Sequence, residues 1–544
     1  MTTKLIPDLL ENMGVYDSPL IPDNQSIKQN IEALASSTAA RPTSAMLAMY
    51  NGTALSGWRL PAIGAINRTS FDKFSDTIYA KDFGVVADGV TDDAPALNKA
   101  AAHMALRGGG RLLLPHGQIL CNSTVVFFGG GVLIDGEGSQ STWLVNGTSN
   151  APCIQIGDGT NHINRCTIRN MLFGQKLGVA ASEGNCGLKA INCSSLSIEN
   201  IDIFDYPNKL QNGIVLEACD DTHICSVRTQ STFQDGWRLT RCLDTYAMAS
   251  RSNSNVNGIK FIDCPGVYFT GIACYGNSGS AFDIGTAGTI NDSVYHFYNN
   301  CIGDTSGSHN WNVTQCSIGV WTGCWGSTQV STDVHTDACG WYLSGGNVSD
   351  ISITGSVAIS NNSHGVNIDL AARVYLSNNI FGSSYKSGAG NGKSGSGSGV
   401  LIGPYCNRVR MHGGGCENNA EFGVDIAAGA DRIFVSGVEF RYNSLGAVRN
   451  LANATEPKAY IKDCGGYNPL GMSVPQPAVP ASDSPIMNLT GVDCTVYIDG
   501  GTVSGIKVDG TTVFSSTGRS VFVPFGSTIA PVYSTAPTWK WFGH

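Results

Sequence analysis

Charge is what this chain has least of. Only 14% of its 544 residues are Asp, Glu, Lys or Arg, about half the usual share. That excludes helical bundles and disordered chains, both of which need far more Glu and Lys. No basic run occurs, and 33 Lys and Arg stand against 42 Asp and Glu for a formal charge of −9, so no nucleic-acid partner is expected. No apolar run approaches the ~18 residues of a membrane span, and Met1 to Leu10 has neither the basic nor the apolar region of a secretory signal. The 18 cysteines contain no CxxC pair, which removes zinc frameworks; no metal or cofactor is expected. What is abundant is glycine, 67 residues, beside 42% hydrophobic residues. Short strands and tight turns use that composition.

Self-similarity organises the middle of the chain. A segment recurs as GLKAINC at Gly187, GIVLEAC at Gly213, GWRLTRC at Gly236 and GIKFIDC at Gly258, with looser copies at Ser280, Asn310, Gly340, Gly365, Gly399 and Gly423. A period in the low twenties with two or three short strands per unit is that of a β-solenoid. Alternation within each copy, such as Ile259 and Phe261 around Lys260, marks inward and outward positions. Cys193, Cys219, Cys242, Cys264 and Cys316 form one column, and Cys274, Cys301, Cys324 and Cys416 a second. Buried thiols used as small apolar fillers explain them better than disulfides.

The run AKDFGVVADGVTDDAPALNKAAAHMA from Ala80, then GGGRLLLPHG from Gly108 and VLIDGEGSQSTWL from Val132, resembles the opening segment of pectate-lyase-like right-handed β-helix proteins. Asp92 or Asp93 caps a helix near 93–106, and Leu97, Ala101 and Met104 give it an apolar face that plugs the solenoid's end. Joined to a non-secretory head, the segment is similar to that of tailed-bacteriophage tailspikes. The expected fold is all-β: a right-handed parallel β-helix over 79–465 and a small head over 1–78, with a short helix at Asp23 to Leu34. A Pro-rich linker over 466–486 and a small β domain over 487–544 follow. The resemblance implies a homotrimer on the virion tail, attached to a tail or baseplate component through the head. It also implies action on a bacterial surface polysaccharide, capsule or lipopolysaccharide, with no membrane insertion.

Three long repeats point to a site. Their extra residues are assigned to 301–309, 326–339 and 381–398, the turn before the recurring strand, where loops on a rigid scaffold would wall a groove. Glycosidic cleavage needs two carboxyl groups, and Asp304, Asp333, Asp337 and Glu417 lie on that side. Trp321 falls in an outward polar column with Thr270, His296, Thr354, Ser377, His412 and Ser436, and so reads as a sugar-stacking platform. Trp325, His335, His296 and His412 join it as substrate-binding candidates, whereas Trp237, Trp311 and Trp341 read as core. A lyase would need clustered acids and a steady base, for which Lys386 and Lys393 sit in too Gly-rich a loop. The NTDG motif of polygalacturonase-like enzymes is absent, and Asp220-Asp221 and Ser363-His364-Gly365 are poor substitutes. Three functions stay open: a polysaccharide-depolymerising tailspike with glycoside hydrolase activity, a non-catalytic receptor-binding virion protein, and a bacterial polysaccharide-degrading enzyme.

Overall fold

A computed structural model describes residues 57–58, 66, 68–69, 73, 75–204, 208–286, 293–328, 335–383, 390–468 and 471–544. The chain divides into two units, Met1–Thr77 and Ile78–His544. In the first, Gly57–Trp58 pairs antiparallel with Arg68–Thr69, and the Arg68 guanidinium donates to both carboxylate oxygens of Asp76 at 2.7 and 2.6 Å. The helix expected over Asp23 to Leu34 lies outside the described residues.

Near the start of the second unit, after the short strand Asp88–Asp92, lies the helix Ala94–Arg107. Pro95 sits in its first turn and Gly108 ends it with φ of 81°, a left-handed value that glycine adopts without strain. Two acids share the start. Asp92 Oδ1 accepts the Ala94 N–H at 3.2 Å, while the buried Asp93 carboxylate turns back to the N–H groups of Val86 and Ala87 at 2.7 and 3.0 Å. Leu97, Ala100, Ala101 and Met104 are buried beneath it, so the helix presents its apolar face to the first rungs.

About 14 turns of parallel β-solenoid follow. Each rung gives one strand to each of three sheets, for example Asn212–Glu217, Asp220–Cys225 and Arg228–Gln230, before Asp235–Thr240 starts the next. The recurring motif is the first-sheet strand: Ile214, Trp237, Ile259, Phe282, Trp311, Trp341, Val366, Val400 and Val424 lie in register, all buried. Full burial stabilises each such side chain by roughly 1.5–3 kcal/mol. The turn from first to second sheet places one residue in the left-handed region, as at Asn192, Ala218, Arg241 and Asp263. The next turn does the same at Asn200, Ser226, Ala249, Gly271, Asn300 and Gly323. Gly and Asn fill half of these positions, where a left-handed backbone costs them least.

The cysteines are all free thiols, and all but Cys225 are buried. Cys193, Cys219, Cys242 and Cys264 do stack. The second expected column divides in two: Cys301 and Cys324 are neighbours, whereas Cys274 and Cys416 share another column through Gly303, Gly326, Ala358 and Phe381. Where the third sheet turns back to the first, buried asparagines form an internal ladder. Asn361 donates to Asn391 at 2.8 Å, Asn391 to Asn419 at 2.9 Å, and Asn419 to Asn443 at 2.8 Å.

Beyond the last rung, Cys494–Asp499 pairs antiparallel with Arg519–Val523 and Thr538–Gly543, and a four-stranded sheet contains Thr502–Val508 and Thr528–Thr535. These sheets enclose their own core around Val496, Ile498, Ile506, Trp539 and Trp541. Tyr460 of the solenoid stacks on Phe525 (5.2 Å, 9°) and donates its hydroxyl to Asp493 at 2.9 Å.

Candidate functional site

Trp321 is the clearest correction. It is fully buried, packed on Tyr298 (5.3 Å) and against Trp311 (6.0 Å, 83°). The outward column passes instead through Thr270, Asn299, Thr322, Thr354, Ser377, His412 and Ser436. Trp321 was therefore placed one residue out of register, and a one-residue slip moves a strand side chain from core to surface. Room for the ring comes from Gly319, where a Cβ would meet it at 2.6 Å. His296 is displaced by three positions and is also fully buried, its Nε2–H donating to the Cys264 carbonyl at 2.8 Å and its Nδ1 accepting the Tyr298 hydroxyl at 2.9 Å. Neither residue can touch a glycan.

The acids separate too. Asp304 lies within the third-sheet strand Ile302–Ser306 rather than in a loop, since the extra residues of its repeat fall between Gly285 and Val294, joining first and second sheets. Glu417 shares its column but stands four rungs further, through Ser327, Ile359 and Gly382. At ~4.8 Å per rung that is roughly 19 Å, beyond any acid–base pair. Asp333 lies outside the described residues. Trp325 is half-buried at the start of a third-sheet strand, with its carbonyl taken by the Trp311 indole N–H at 3.0 Å. His412 is exposed on the second sheet beside Ser436 (2.9 Å).

Two long turns do rise where expected, 329–340 and 382–399, both joining third sheet to first. Their described parts pack as one wall: His335 N–H donates to the Gly307 carbonyl at 3.1 Å, and Ser394 Oγ donates to the carbonyls of Thr336 and Asn362 at 3.2 and 2.7 Å. At its foot lies a cluster the sequence analysis did not assemble. His309 Nδ1 accepts the Cys339 N–H at 3.1 Å, and His364 Nδ1 accepts the Ser398 N–H at 2.9 Å. A backbone N–H can only donate, so each neutral imidazole carries its proton on Nε2.

Burial pushes both imidazoles down to about 4. Around His309 the charges of Asp337 and Asp283 oppose that shift and His335 adds to it; around His364, Asp425 opposes it. His309 stacks on Tyr342 (4.3 Å, 11°), whose neighbour Ser344 donates to Asp369 at 2.8 Å. Asp283 accepts from Lys260 at 2.7 Å and Asn312 at 2.8 Å. The arrangement offers neutral donors, a ring face and two carboxylates acting on one imidazole. The sequence signal is present in part, because His309 ends the 301–309 segment and His364 lies in Ser363-His364-Gly365.

The second sheet carries another missed feature. His223, Tyr246, Tyr268 and Phe297 stack on successive rungs at 4.9, 4.8 and 5.4 Å, with interplanar angles of 12°, 11° and 6°. The first three each lie four residues after a column cysteine, which is a legible spacing.

Residues 77–324 match the family described as "Rhamnogalacturonase A/epimerase, pectate lyase-like". Tailspike protein 3 of bacteriophage CBA120 superposes with a TM-score of 0.60 at 16% identity, covering 81% of this chain and 71% of that one. The fold is a parallel β-helix, shared with that tailspike, and its first half is similar to the pectate-lyase-like family. The A-module of the mannuronan C-5 epimerase AlgE6 of Azotobacter vinelandii superposes with a TM-score of 0.53 at 14% identity over 73% of this chain and 100% of that one. A curated relative, the tail spike protein of Shigella phage Sf6, is 38% identical over 95 residues, 16% of this chain and only 15% of that protein's length. Among the described residues no helix is long and apolar enough to cross a membrane, and no group of three or more His, Cys, Asp or Glu is placed to hold a metal ion.

Proposed function

We propose that this chain is a tailed-phage tailspike that binds and depolymerises a bacterial surface polysaccharide at the first-sheet cluster beneath the long turns. The relatives' names support the class, since they include two tailspikes, a rhamnogalacturonase family and an epimerase of mannuronan. The observation that carries the site is His309 held between the wall and Tyr342, with Asp337 and Asp283 acting on it.

Hydrolysis needs one carboxyl group to protonate the leaving oxygen and another to activate water or attack the sugar carbon. Asp337 and Asp283 are assigned those roles. Asp337, on the exposed turn, is assigned as the acid, and Asp283, which accepts from Lys260 and Asn312, as the carboxylate. His309 and His364 donate Nε2–H to sugar hydroxyls. Because each Nδ1 is already occupied by a backbone N–H, neither imidazole is free to abstract a sugar C–H proton, which favours hydrolysis over lyase or epimerase chemistry. The head over 1–78 would join the tail, and the chain would act as a homotrimer.

The test is to incubate the purified protein with extracted bacterial surface polysaccharides and size the products. Hydrolysis shortens the glycan and yields reducing ends without unsaturated sugars. Asp337→Asn and Asp283→Asn should each lower turnover by about a hundredfold or more. Binding without shortening would favour the non-catalytic adhesin, and unsaturated ends would favour a lyase.

A further inference from the structure

The second sheet changes character in its last four rungs. Three columns run side by side there. The first holds Arg373, Arg408, Arg432 and Lys458; the second Tyr375, Arg410, Phe434 and Tyr460; the third Ser377, His412, Ser436 and Lys462. Arg373 is paired with Asp350 through two contacts of 2.5 and 2.6 Å, Arg432 meets Asp431 at 3.4 Å, and Lys458 meets Glu456 at 2.9 Å. Arg408, Arg410 and Lys462 are exposed and make no ion pair among the described residues. Three unpaired cations on one flat face stand out in a chain whose formal charge is −9.

We propose that this face is a second glycan-binding site, specific for a carboxylate-bearing polysaccharide lying across the rungs. Guanidinium groups pair with carboxylates as a planar fork. Arg410 lies between the rings of Tyr375 and Phe434 in its column, so cation and ring alternate at the ~4.8 Å rung spacing. Tyr375 is 42% exposed and offers a surface for sugar C–H groups. The third column supplies what a sugar needs besides: Ser377, His412 and Ser436 form a run of hydroxyl and imidazole groups, with His412 and Ser436 already 2.9 Å apart. Single-stranded nucleic acid also uses cations and rings, but it needs free ring faces for its bases, and the Tyr460 face is covered by Phe525. The site is separate from the first-sheet cluster and does not rest on cleavage occurring there.

The experiment is native affinity electrophoresis of the full chain through gels containing sodium polygalacturonate, neutral dextran or single-stranded DNA. Retardation is expected in polygalacturonate alone, and should fade between about 50 mM and about 500 mM NaCl. Arg408→Ala with Arg410→Ala should weaken it at least about tenfold, with Tm, oligomeric state and any depolymerase turnover unchanged. Asp337→Asn should leave the retardation intact, so failure of the catalytic reading and failure of this one are distinguishable. No retardation, equal retardation by dextran, retardation by DNA alone, an unaffected double variant, or a change of oligomeric state in that variant would each overturn the proposal.

Discussion

The imidazole of His309 lies flat on the phenol ring of Tyr342, centroids 4.3 Å apart and planes 11° apart, and its Nδ1 takes the N–H of Cys339 at 3.1 Å. Ring and backbone together fix the imidazole's tilt and tautomer before any ligand arrives. His364 repeats the backbone contact two rungs on through Ser398. A pair of oriented, neutral Nε2–H donors roughly 10 Å apart is suited to successive hydroxyls of one glycan.

His309→Asn tests that division of labour. The Asn side-chain oxygen can still accept the Cys339 N–H, but nothing replaces Nε2–H. Oligosaccharide affinity should fall about fivefold to tenfold, the worth of one hydrogen bond, with Tm little changed. His309→Ala should lose both affinity and Tm. Calorimetric titration beside thermal melts separates the two, and an Asn variant with full affinity would remove His309 from the site.

Trp321→Ala is expected to act on stability alone. The ring fills space between Tyr298, Trp311 and Gly319, and truncating a buried Trp costs about 3–5 kcal/mol. Chemical denaturation should report that loss, while affinity for glycan, measured well below the variant's midpoint, should remain at the wild-type value.

How much of this was legible follows from where periodicity holds. First-sheet strands carry the repeat in plain sight, so the core positions of Trp237, Trp311 and Trp341 were readable from the residue before each of them. Second-sheet strands lack a fixed anchor once the 286–293 turn lengthens, and that break put Trp321 and His296 on the wrong face. The His309 cluster was hidden for a different reason. Its members come from three rungs and two turns, and only the register of Trp311 with Trp341 brings His309 beside Tyr342. Asp304 and Glu417 share a third-sheet column, but linear sequence gives no measure of the four rungs between them.

Asn391 should prove to be the residue that holds the longest turn in place. It accepts from Asn361 at 2.8 Å, donates to Asn419 at 2.9 Å, and reaches the Ala358 carbonyl at 3.1 Å. Asn391→Ala leaves the buried Asn361 N–H without its acceptor and takes one hydrogen bond each from the Asn361 and Asn419 side chains, a cost of about 1–3 kcal/mol for a buried group left unpaired. Limited proteolysis should then cut within 382–399 under conditions where the wild type resists. An unchanged digest would mean the turn is held by its other contacts, among them those of Gly392, Lys393 and Ser394.

Acid should destabilise the solenoid through its buried imidazoles. Burial pushes His296 down to about 4 from an ordinary value of 6.5, and His309 and His364 fall to the same range. Below pH 6.5 the unfolded chain takes up protons on these imidazoles while the folded chain does not, so stability rises with pH across this window. The stabilisation is therefore full above about 6.5 and is lost as pH falls toward 4, after which the folded imidazoles protonate as well. For fully buried His296 the loss approaches about 3 kcal/mol, from 1.36 kcal/mol for each unit of pKa difference. His296→Gln keeps an amide donor for the Cys264 carbonyl and an acceptor for the Tyr298 hydroxyl, but does not titrate. Its Tm should lie below the wild type at pH 7.5, and the gap should narrow or reverse at pH 4.5. A gap that stays constant between those pH values would show that the imidazole takes no part in the acid sensitivity.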